Sequence, residues 1–336
     1  MKSAAKMFRE RLLGTIKAVS STAAIVLALA SGTALPATDS AYPTKPIRLV
    51  VPFAAGSATD SVGRILADEL SRRLGQTVIV DNRAGAFGQI AADFVAHSAP
   101  DGYTLFMTTN TTHSANPHLY KKLPYDPIKD FDPIARVGIL PFMLVINPSL
   151  PAKTTADFLA YAKANQATLS YATASSASLI GAETINHLAK LNMGGVQYKA
   201  SPQAMLDVVT GRVQVMVADF ATAMPQVKAG KLRVLGVASA KRSALLPEVP
   251  AIAETIPGYD ITSWNGLFAP AGLAPEIKTR LARETLEILA LPDTKKRLAA
   301  IGFEVDTMST EPFTHYVRDE ITYWGKLVHD AGIQPE

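Results

Sequence analysis

The amino-acid sequence predicts an α/β fold with two domains. Short β-branched runs alternate with segments of helical periodicity from residue 47 to residue 238, a pattern typical of parallel or mixed sheets flanked by helices. From residue 275 onward the periodicity is helical only. Residues 38–336 exceed the length at which a single hydrophobic core is usual, so the sequence favours two domains.

The first 37 residues have the order of a cleavable secretory signal peptide. Basic residues come first, an apolar segment follows over 18–30, and small residues continue to Ala37. That apolar segment is too short to span a bilayer, although an uncleaved anchor helix is the alternative. Cleavage is expected after Ala34 or Ala37, and Ala30 is a further candidate.

The charge of the chain is concentrated in this leader. The chain has 33 basic and 29 acidic residues, and residues 1–37 hold five of the basic ones and one acidic one, which leaves 28 of each. The remainder is therefore neutral overall. It shows no basic composition of the kind that nucleic acid or an anionic membrane surface attracts, so no nucleic-acid partner is expected.

The chain contains no cysteine. This excludes disulfides, thiolate catalysis, cysteine-ligated metals and a lipidated cysteine tether. An exported protein without a tether is retained only where a second membrane encloses it. We therefore expect the periplasm of a Gram-negative cell.

Strands and helices follow from the periodicity. Strands are predicted over 47–52, 77–81, 103–108, 137–146, 169–173, 196–199, 213–218 and 232–238. Helices are predicted over 59–74, 88–97, 154–164, 179–191, 202–210, 222–229, 275–290, 293–301 and 311–331. Because the C-terminal helices would otherwise lack a sheet to cover, we expect them to return to the first domain. Domain 1 would then comprise 38–140 and 261–336, and domain 2 would comprise 141–260.

Signatures of catalysis are missing from the sequence. There is no Gly-x-Ser-x-Gly elbow, no P-loop and no Gly-x-Gly-x-x-Gly turn. His113 and His118 flank a proline but lack a third metal ligand, so hydrogen bonding within the loop is the simpler role. No catalytic residue, cofactor or metal is predicted, although an enzyme is not excluded.

The stretch 53–60 opens a predicted helix with almost no bulky side chain. The start of a helix offers unpaired N–H groups and a partial positive charge, so an anion can bind there without an arginine. Gly56 permits close approach, and Ser57 and Thr59 add hydroxyl groups. Alternatively, Ser57 and Asp60 only cap the helix, in the manner of a capping box.

Four further loops repeat this arrangement at the ends of predicted strands. They are small or polar and cover 83–88, 108–114, 172–178 and 219–222. Each alone is a weak signal, because such loops are commonly polar. Together they would converge on one cleft if the two sheets face each other, since ligands bind at the carboxyl ends of parallel strands.

At these loops the sequence resembles the Bug receptors, the extracytoplasmic solute receptors of tripartite tricarboxylate transporters. The resemblance covers almost all of 38–336 and is carried by YPTKPIRLVVPFAAGSATD, VIVDNRAGAFGQIAADFVAHSAPDGYTL, ANPHLYKKLPYDPIKDFDPIA, YKASPQAMLDVVTGRVQVMVAD and SWNGLFAPAGLAPE. It implies a two-domain, type II-like periplasmic binding protein that closes around a small carboxylate by a hinge motion.

The resemblance also implies where the ligand binds. Family members anchor one carboxylate with backbone N–H groups, hydroxyls and water in the first two loops. Carried over, this indicates Phe53, Ala54, Gly56, Ser57, Ala58, Thr59, Asp60, Gly85, Ala86, Phe87, Gly88, Thr109, Asn110, Thr112, Ser175, Ser176, Ser178 and Asp219. The chain departs from the family where Ala54, Ala55 and Ser57 replace proline and glycine, where Phe87 replaces a glycine and where Gln89 replaces an asparagine.

Two hypotheses concern side chains beside these loops. Phe53 and Phe87 would form an apolar wall for an aromatic or longer aliphatic diacid, with core packing as the alternative. Arg83 is expected to pair with Asp81 or with a carbonyl group, and not to clamp the ligand.

The expected function is that of a monomeric periplasmic receptor. It would capture a mono-, di- or tricarboxylate, with aromatic acids among the candidates, and deliver it to a tripartite tricarboxylate transporter permease. The alternatives are a co-receptor that presents its ligand to a membrane sensor kinase, and a periplasmic enzyme on the same scaffold.

Overall fold

The computed structural model describes residues 42–165 and 168–336, so the predicted signal peptide lies outside the described residues. The strands are β1 (Ile47–Val51), β2 (Val78–Asn82), β3 (Thr104–Thr109), β4 (Phe131–Leu140), β5 (Phe142–Ile146), β6 (Ser170–Thr173), β7 (Gly194–Gln197), β8 (Val215–Asp219), β9 (Arg233–Val237) and β10 (Ser263–Pro270). The helices are α1 (Ala58–Leu74), α2 (Gln89–Ala96), α3 (Asn116–Leu119), α4 (Thr155–Ala164), α5 (Ser176–Ala189), α6 (Ser201–Val209), α7 (Phe220–Lys228), α8 (Pro275–Ala290), α9 (Pro292–Ala300) and α10 (Thr310–Asp330).

The strands form two mixed five-stranded sheets, flanked by helices as the sequence predicted. The first sheet has the order β2-β1-β3-β10-β4, and the second has the order β7-β6-β8-β5-β9. β1 pairs in parallel with β2 and β3, and β6 pairs in parallel with β7 and β8. β10 and β5 each lie antiparallel to both of their neighbours. The chain therefore crosses between the sheets twice, after β4 and before β10.

The predicted strand 137–146 is wrong as a single element. It is two strands in different sheets, interrupted at Pro141. Proline has no N–H for a sheet ladder, and its neighbours Leu140 and Phe142 are buried on either side of the crossing. The apolar run is continuous, so periodicity alone did not show the break.

β10 was not predicted. All eight of its residues are buried, so the strand lacks the alternation of buried and exposed positions that marks a half-exposed strand. Trp264 and Phe268 in β10 pack against Phe313 of α10, with ring centroids 5.5 and 5.1 Å apart. The last long helix thus covers the first sheet.

Helix boundaries follow local capping. Ser57 precedes α1 and its Oγ accepts the N–H of Asp60 at 3.3 Å, while Gly75 ends the helix in the left-handed conformation. α5 begins three residues before its predicted start, because Ser175 caps it by accepting the N–H of Ser178 at 3.3 Å. Within the described residues, no helix is both long and apolar enough to cross a membrane.

A π-helical turn over Thr111–Ala115 follows β3 and was not predicted. It places the His113 ring against Phe268, with centroids 4.0 Å apart, and Nδ1 of His113 lies 2.9 Å from Oγ1 of Thr112. Complete burial lowers the pKa of His113 to about 3, so the ring is neutral. His113 is a packed core residue behind the end of β3.

Candidate functional site

Four helices begin around one small cavity between the two sheets. α1 contributes the residues at its start, α5 and α7 contribute their N-caps, and α6 contributes its first residue. The lining residues are Phe53, Ser57, Ala58, Thr59, Thr109, Leu140, Phe142, Ser175, Ser201 and Asp219. Its volume of about 20 Å³ leaves room for about one water molecule. Each helix start carries about half a positive charge, so the backbone around the cavity favours a negatively charged group.

The loop before α1 is held in place by hydrogen bonds to the carboxylate of Asp60. The carboxylate of Asp60 accepts the Gly56 N–H and the Asn82 Nδ2–H, each at 2.9 Å, and pairs with Arg64. Asn82 also donates to the Phe53 carbonyl at 2.9 Å. Although burial favours the neutral acid, these bonds hold the pKa of Asp60 below its usual value. Asp60 therefore shapes the loop, and it does not line the small cavity.

Within the described part of the chain, Asp219 is the one ionisable residue that lines the small cavity. It caps α7, since its Oδ1 accepts the N–H of Thr222 at 2.8 Å. Its side chain is 5% exposed, and burial raises the pKa of the carboxyl. A negatively charged group in the cavity would disfavour the ionised form of Asp219 further, because two negative charges repel each other.

Hydroxyl and amide groups link the two sheets beside this cavity. Ser176 at the start of α5 donates to Oγ1 of Thr111 at 2.9 Å, and Asn110 Nδ2 donates to Ser176 Oγ at 3.3 Å. Ser263 of β10 donates to Oδ1 of Asn110. Asn110 and Ser176 are thereby occupied in joining the end of β3 to α5.

A larger cavity of about 280 Å³ lies beside the small one, and Phe53 lines both. Its lining residues are Pro52, Phe53, Gly85, Ala86, Phe87, Gly88, Ala174, Gln197, Tyr198 and Lys199. Residues from both sheets contribute to it. Its volume is slightly below the usual range of small-molecule sites, about 300–1,000 Å³, which fits a small ligand.

The loop 85–88 is strained where it meets this cavity. Ala86 and Phe87 both have positive φ, at 46° and 45°, a conformation that costs an L-residue about 1–2 kcal/mol. Asn116 donates to the Phe87 carbonyl at 3.0 Å and so holds the loop in place. A Cβ on Gly88 would lie 2.7 Å from Thr112 Cγ2 and 2.9 Å from Pro52 Cβ. Glycine is therefore required where the loop passes β1.

The structure divides the sequence-predicted site residues into three groups. Phe53, Ser57, Ala58, Thr59, Thr109, Ser175 and Asp219 line the small cavity. Phe53, Gly85, Ala86, Phe87 and Gly88 line the larger one. Ala54, Gly56, Asp60, Asn110, Thr112, Ser176 and Ser178 line neither. Phe53 and Phe87 thus lie on one cavity, as the wall hypothesis requires.

Arg83 has partners away from both cavities. Its Nε donates to Asp81 Oδ2 at 3.0 Å, and its guanidinium lies over the Phe94 ring at 3.5 Å from the centroid. The side chain is thus engaged with Asp81, as expected from the sequence.

Sequence reasoning missed the second-sheet side of the larger cavity. Gln197 is the last residue of β7, Tyr198 and Lys199 lie between β7 and α6, and Ser201 begins that helix. This is the same strand–loop–helix pattern as the other loops. The segment YKAS therefore carried the signal, but its bulky side chains hid it in a search for small residues.

Comparison with known proteins identifies the family of the chain. The model of the tripartite tricarboxylate transporter family receptor matches residues 62–333. A UPF0065 protein of Bordetella bronchiseptica is 34% identical over 328 residues, 98% of each chain. BugT of Bordetella pertussis is 32% identical over 308 residues, 90% of this chain and 94% of BugT.

Solved structures agree in fold. Rpa4515 of R. palustris with adipate has a TM-score of 0.86 at 34% identity and covers 88% of this chain and 100% of its own. MatC of Rhodopseudomonas palustris with bound malate has a TM-score of 0.80 at 33% identity, covering 85% and 100%. The chain therefore belongs to the tripartite tricarboxylate transporter receptors, the Bug family, and has the fold of their periplasmic solute-binding proteins.

Proposed function

We propose that this protein captures a small organic carboxylate between its two sheets and delivers it to the membrane permease of a tripartite tricarboxylate transporter. The observation that carries the proposal is the convergence of four helix starts on one cavity between the sheets. Such a site favours an anion through backbone dipoles, and the family and the adipate- and malate-bound relatives agree with that chemistry.

The ligand occupies the larger cavity, and one of its carboxylate groups faces the loops 53–59 and 85–88. The small cavity holds a water that carries the hydrogen bonds from the helix starts to that carboxylate. A bridging water can be nearly as favourable as a direct hydrogen bond. The volume of the small cavity, about 20 Å³, matches this role.

Binding is coupled to a hinge motion of two domains, residues 38–140 with 261–336 against residues 141–260. Support comes from the sheet topology, in which the chain crosses between the sheets at Pro141 and again before Ser263. The Ser176–Thr111 and Asn110–Ser176 hydrogen bonds join the two parts and would form on closure. The closed form then presents the surface that the permease binds.

A thermal-shift screen tests the binding step. The purified protein is heated with mono-, di- and tricarboxylates and with aromatic acids. An acid at a hundredfold its dissociation constant should add about 2.7 kcal/mol of stability, with the acid recovered unchanged. If no carboxylate raised the melting temperature while neutral or cationic solutes did, the proposal would be rejected. Turnover of the acid would indicate an enzyme.

Gene deletion tests the delivery step, and cell fractionation tests the location. We infer export to the periplasm by the leader 1–37, so cell fractionation should recover a processed protein there. Loss of uptake of the acid after deletion supports delivery to a permease. Intact uptake with loss of transcriptional induction would instead indicate a co-receptor for a sensor kinase.

A further inference from the structure

We infer that Lys199 recognises a second, distal carboxylate, so that the preferred ligands are straight-chain dicarboxylates and not monocarboxylates. The inference rests on the proposed function and extends it to a residue that sequence reasoning missed. It concerns the larger cavity, which Lys199 lines from the second sheet.

Among the described residues that line the larger cavity, Lys199 alone carries a formal charge. Its side chain is exposed, and within the described part of the chain it forms no hydrogen bond or ion pair. Two basic side chains near the loops 53–60 and 83–88 already form ion pairs. Arg64 pairs with Asp60, and Arg83 pairs with Asp81. An uncommitted ammonium group at a cavity is available for an anionic ligand.

The backbone beside Lys199 is fixed from both sides. The Tyr198 N–H donates to the Thr173 carbonyl at 2.7 Å, and the Tyr198 hydroxyl donates to Asp207 Oδ2 at 2.8 Å. Two residues further on, Ser201 begins α6 at the small cavity. The position of Lys199 relative to the ligand is therefore set by β7 and α6, while its flexible stem adjusts to the length of the ligand.

Part of the cavity wall is apolar. Phe53 and Phe87 come from the first sheet, and Ala174 comes from the second. Phe87 is 9% exposed and is held in its strained conformation by Asn116. Methylene groups suit such a wall, whereas a third carboxylate or a hydroxyl on the chain would lose its hydration there. A cavity that is lined by a cation and by apolar side chains, and that lies beside several helix starts, is complementary to a linear diacid.

Calorimetric titration of wild type and Lys199→Gln tests the inference. The probes are succinate, adipate and suberate against butyrate and hexanoate. Wild type should bind the best dicarboxylate about tenfold more tightly than the monocarboxylate of equal length, the effect of one charge-assisted hydrogen bond. Lys199→Gln should remove that difference and leave hexanoate affinity unchanged. Lys241→Gln, at an exposed position outside both cavities, serves as the matched control and should behave as wild type.

The outcomes separate this inference from the proposed function. Equal affinity of wild type for adipate and hexanoate overturns the inference alone, and so does an unchanged adipate preference in Lys199→Gln. Equal weakening of both acids by Lys199→Gln also overturns it, because Lys199 would then act on the first carboxylate. Binding of no acid by wild type overturns the proposed function and this inference with it.

Discussion

Asp219 should make ligand binding depend on pH. Its carboxyl is buried at the small cavity, and burial raises its pKa, so it keeps a proton at a pH where free aspartate has lost it. An anion beside it favours the protonated form further. Binding of a carboxylate therefore takes up a proton and weakens as the pH rises through the pKa of Asp219.

Substitution Asp219→Asn isolates this effect. Asparagine keeps the cap of α7, because its side-chain oxygen can accept the Thr222 N–H that Asp219 Oδ1 accepts at 2.8 Å. The side-chain N–H of asparagine also replaces the O–H that protonated Asp219 can donate. Two charges about 5 Å apart at an effective dielectric constant of about 20 repel by about 3 kcal/mol, and the positive helix starts offset part of that. At a pH above the pKa of Asp219, we expect about tenfold tighter binding of a carboxylate by Asp219→Asn than by wild type, or about 1.4 kcal/mol.

The assay is calorimetric titration of one monocarboxylate at several values between about pH 5 and pH 8. The dissociation constant of wild type should rise with pH, and that of Asp219→Asn should stay constant. A melting curve of each protein without ligand checks that α7 is intact. The reasoning is refuted if Asp219→Asn binds more weakly than wild type at the upper pH, since an ionised Asp219 would then be needed for binding.

Three further substitutions probe the loops. Gly88→Ala should destabilise the fold by about 2–4 kcal/mol, because the new Cβ adds a clash with Thr112 and Pro52 to the cost of positive φ; a denaturation midpoint equal to that of wild type would contradict this. Phe87→Gly relieves the strain at φ 45° but removes the apolar wall, so ligand preference should shift away from longer or aromatic diacids; an unchanged preference in the ligand screen would reject the wall. Ser57→Ala removes the cap of α1, so it should lower the free energy of unfolding by about 1 kcal/mol and weaken carboxylate binding. Ser71→Ala, in the last turn of the same helix, is the control for the binding effect.

Local sequence determined the elements that bring the loops to one place. Ser57, Gly75 and Ser175 set helix ends through hydrogen bonds that span only a few residues, so short-range reasoning reached the start of α1 and the loop before α5. The small loops at the ends of strands were also predictable, because each lies between an apolar run and a segment with helical periodicity. The positions of these loops predicted a ligand cleft between the two sheets.

Tertiary structure alone decided where buried strands go and which polar groups remain available. The break at Pro141 and the return of β10 depend on pairing with strands distant in sequence, which a continuous apolar run does not encode. The carboxylate of Asp60, a predicted ligand-binding residue, accepts a hydrogen bond from Asn82 at the end of β2, a contact between residues distant in sequence that the loop itself does not encode. The strand–loop–helix pattern marked the segment that contains Lys199 but not the side chain itself, because the role proposed for Lys199 depends on a cavity lined from both sheets. Residue type and local hydrogen bonds fix the elements, whereas long-range packing determines which donors and charges are left for a ligand.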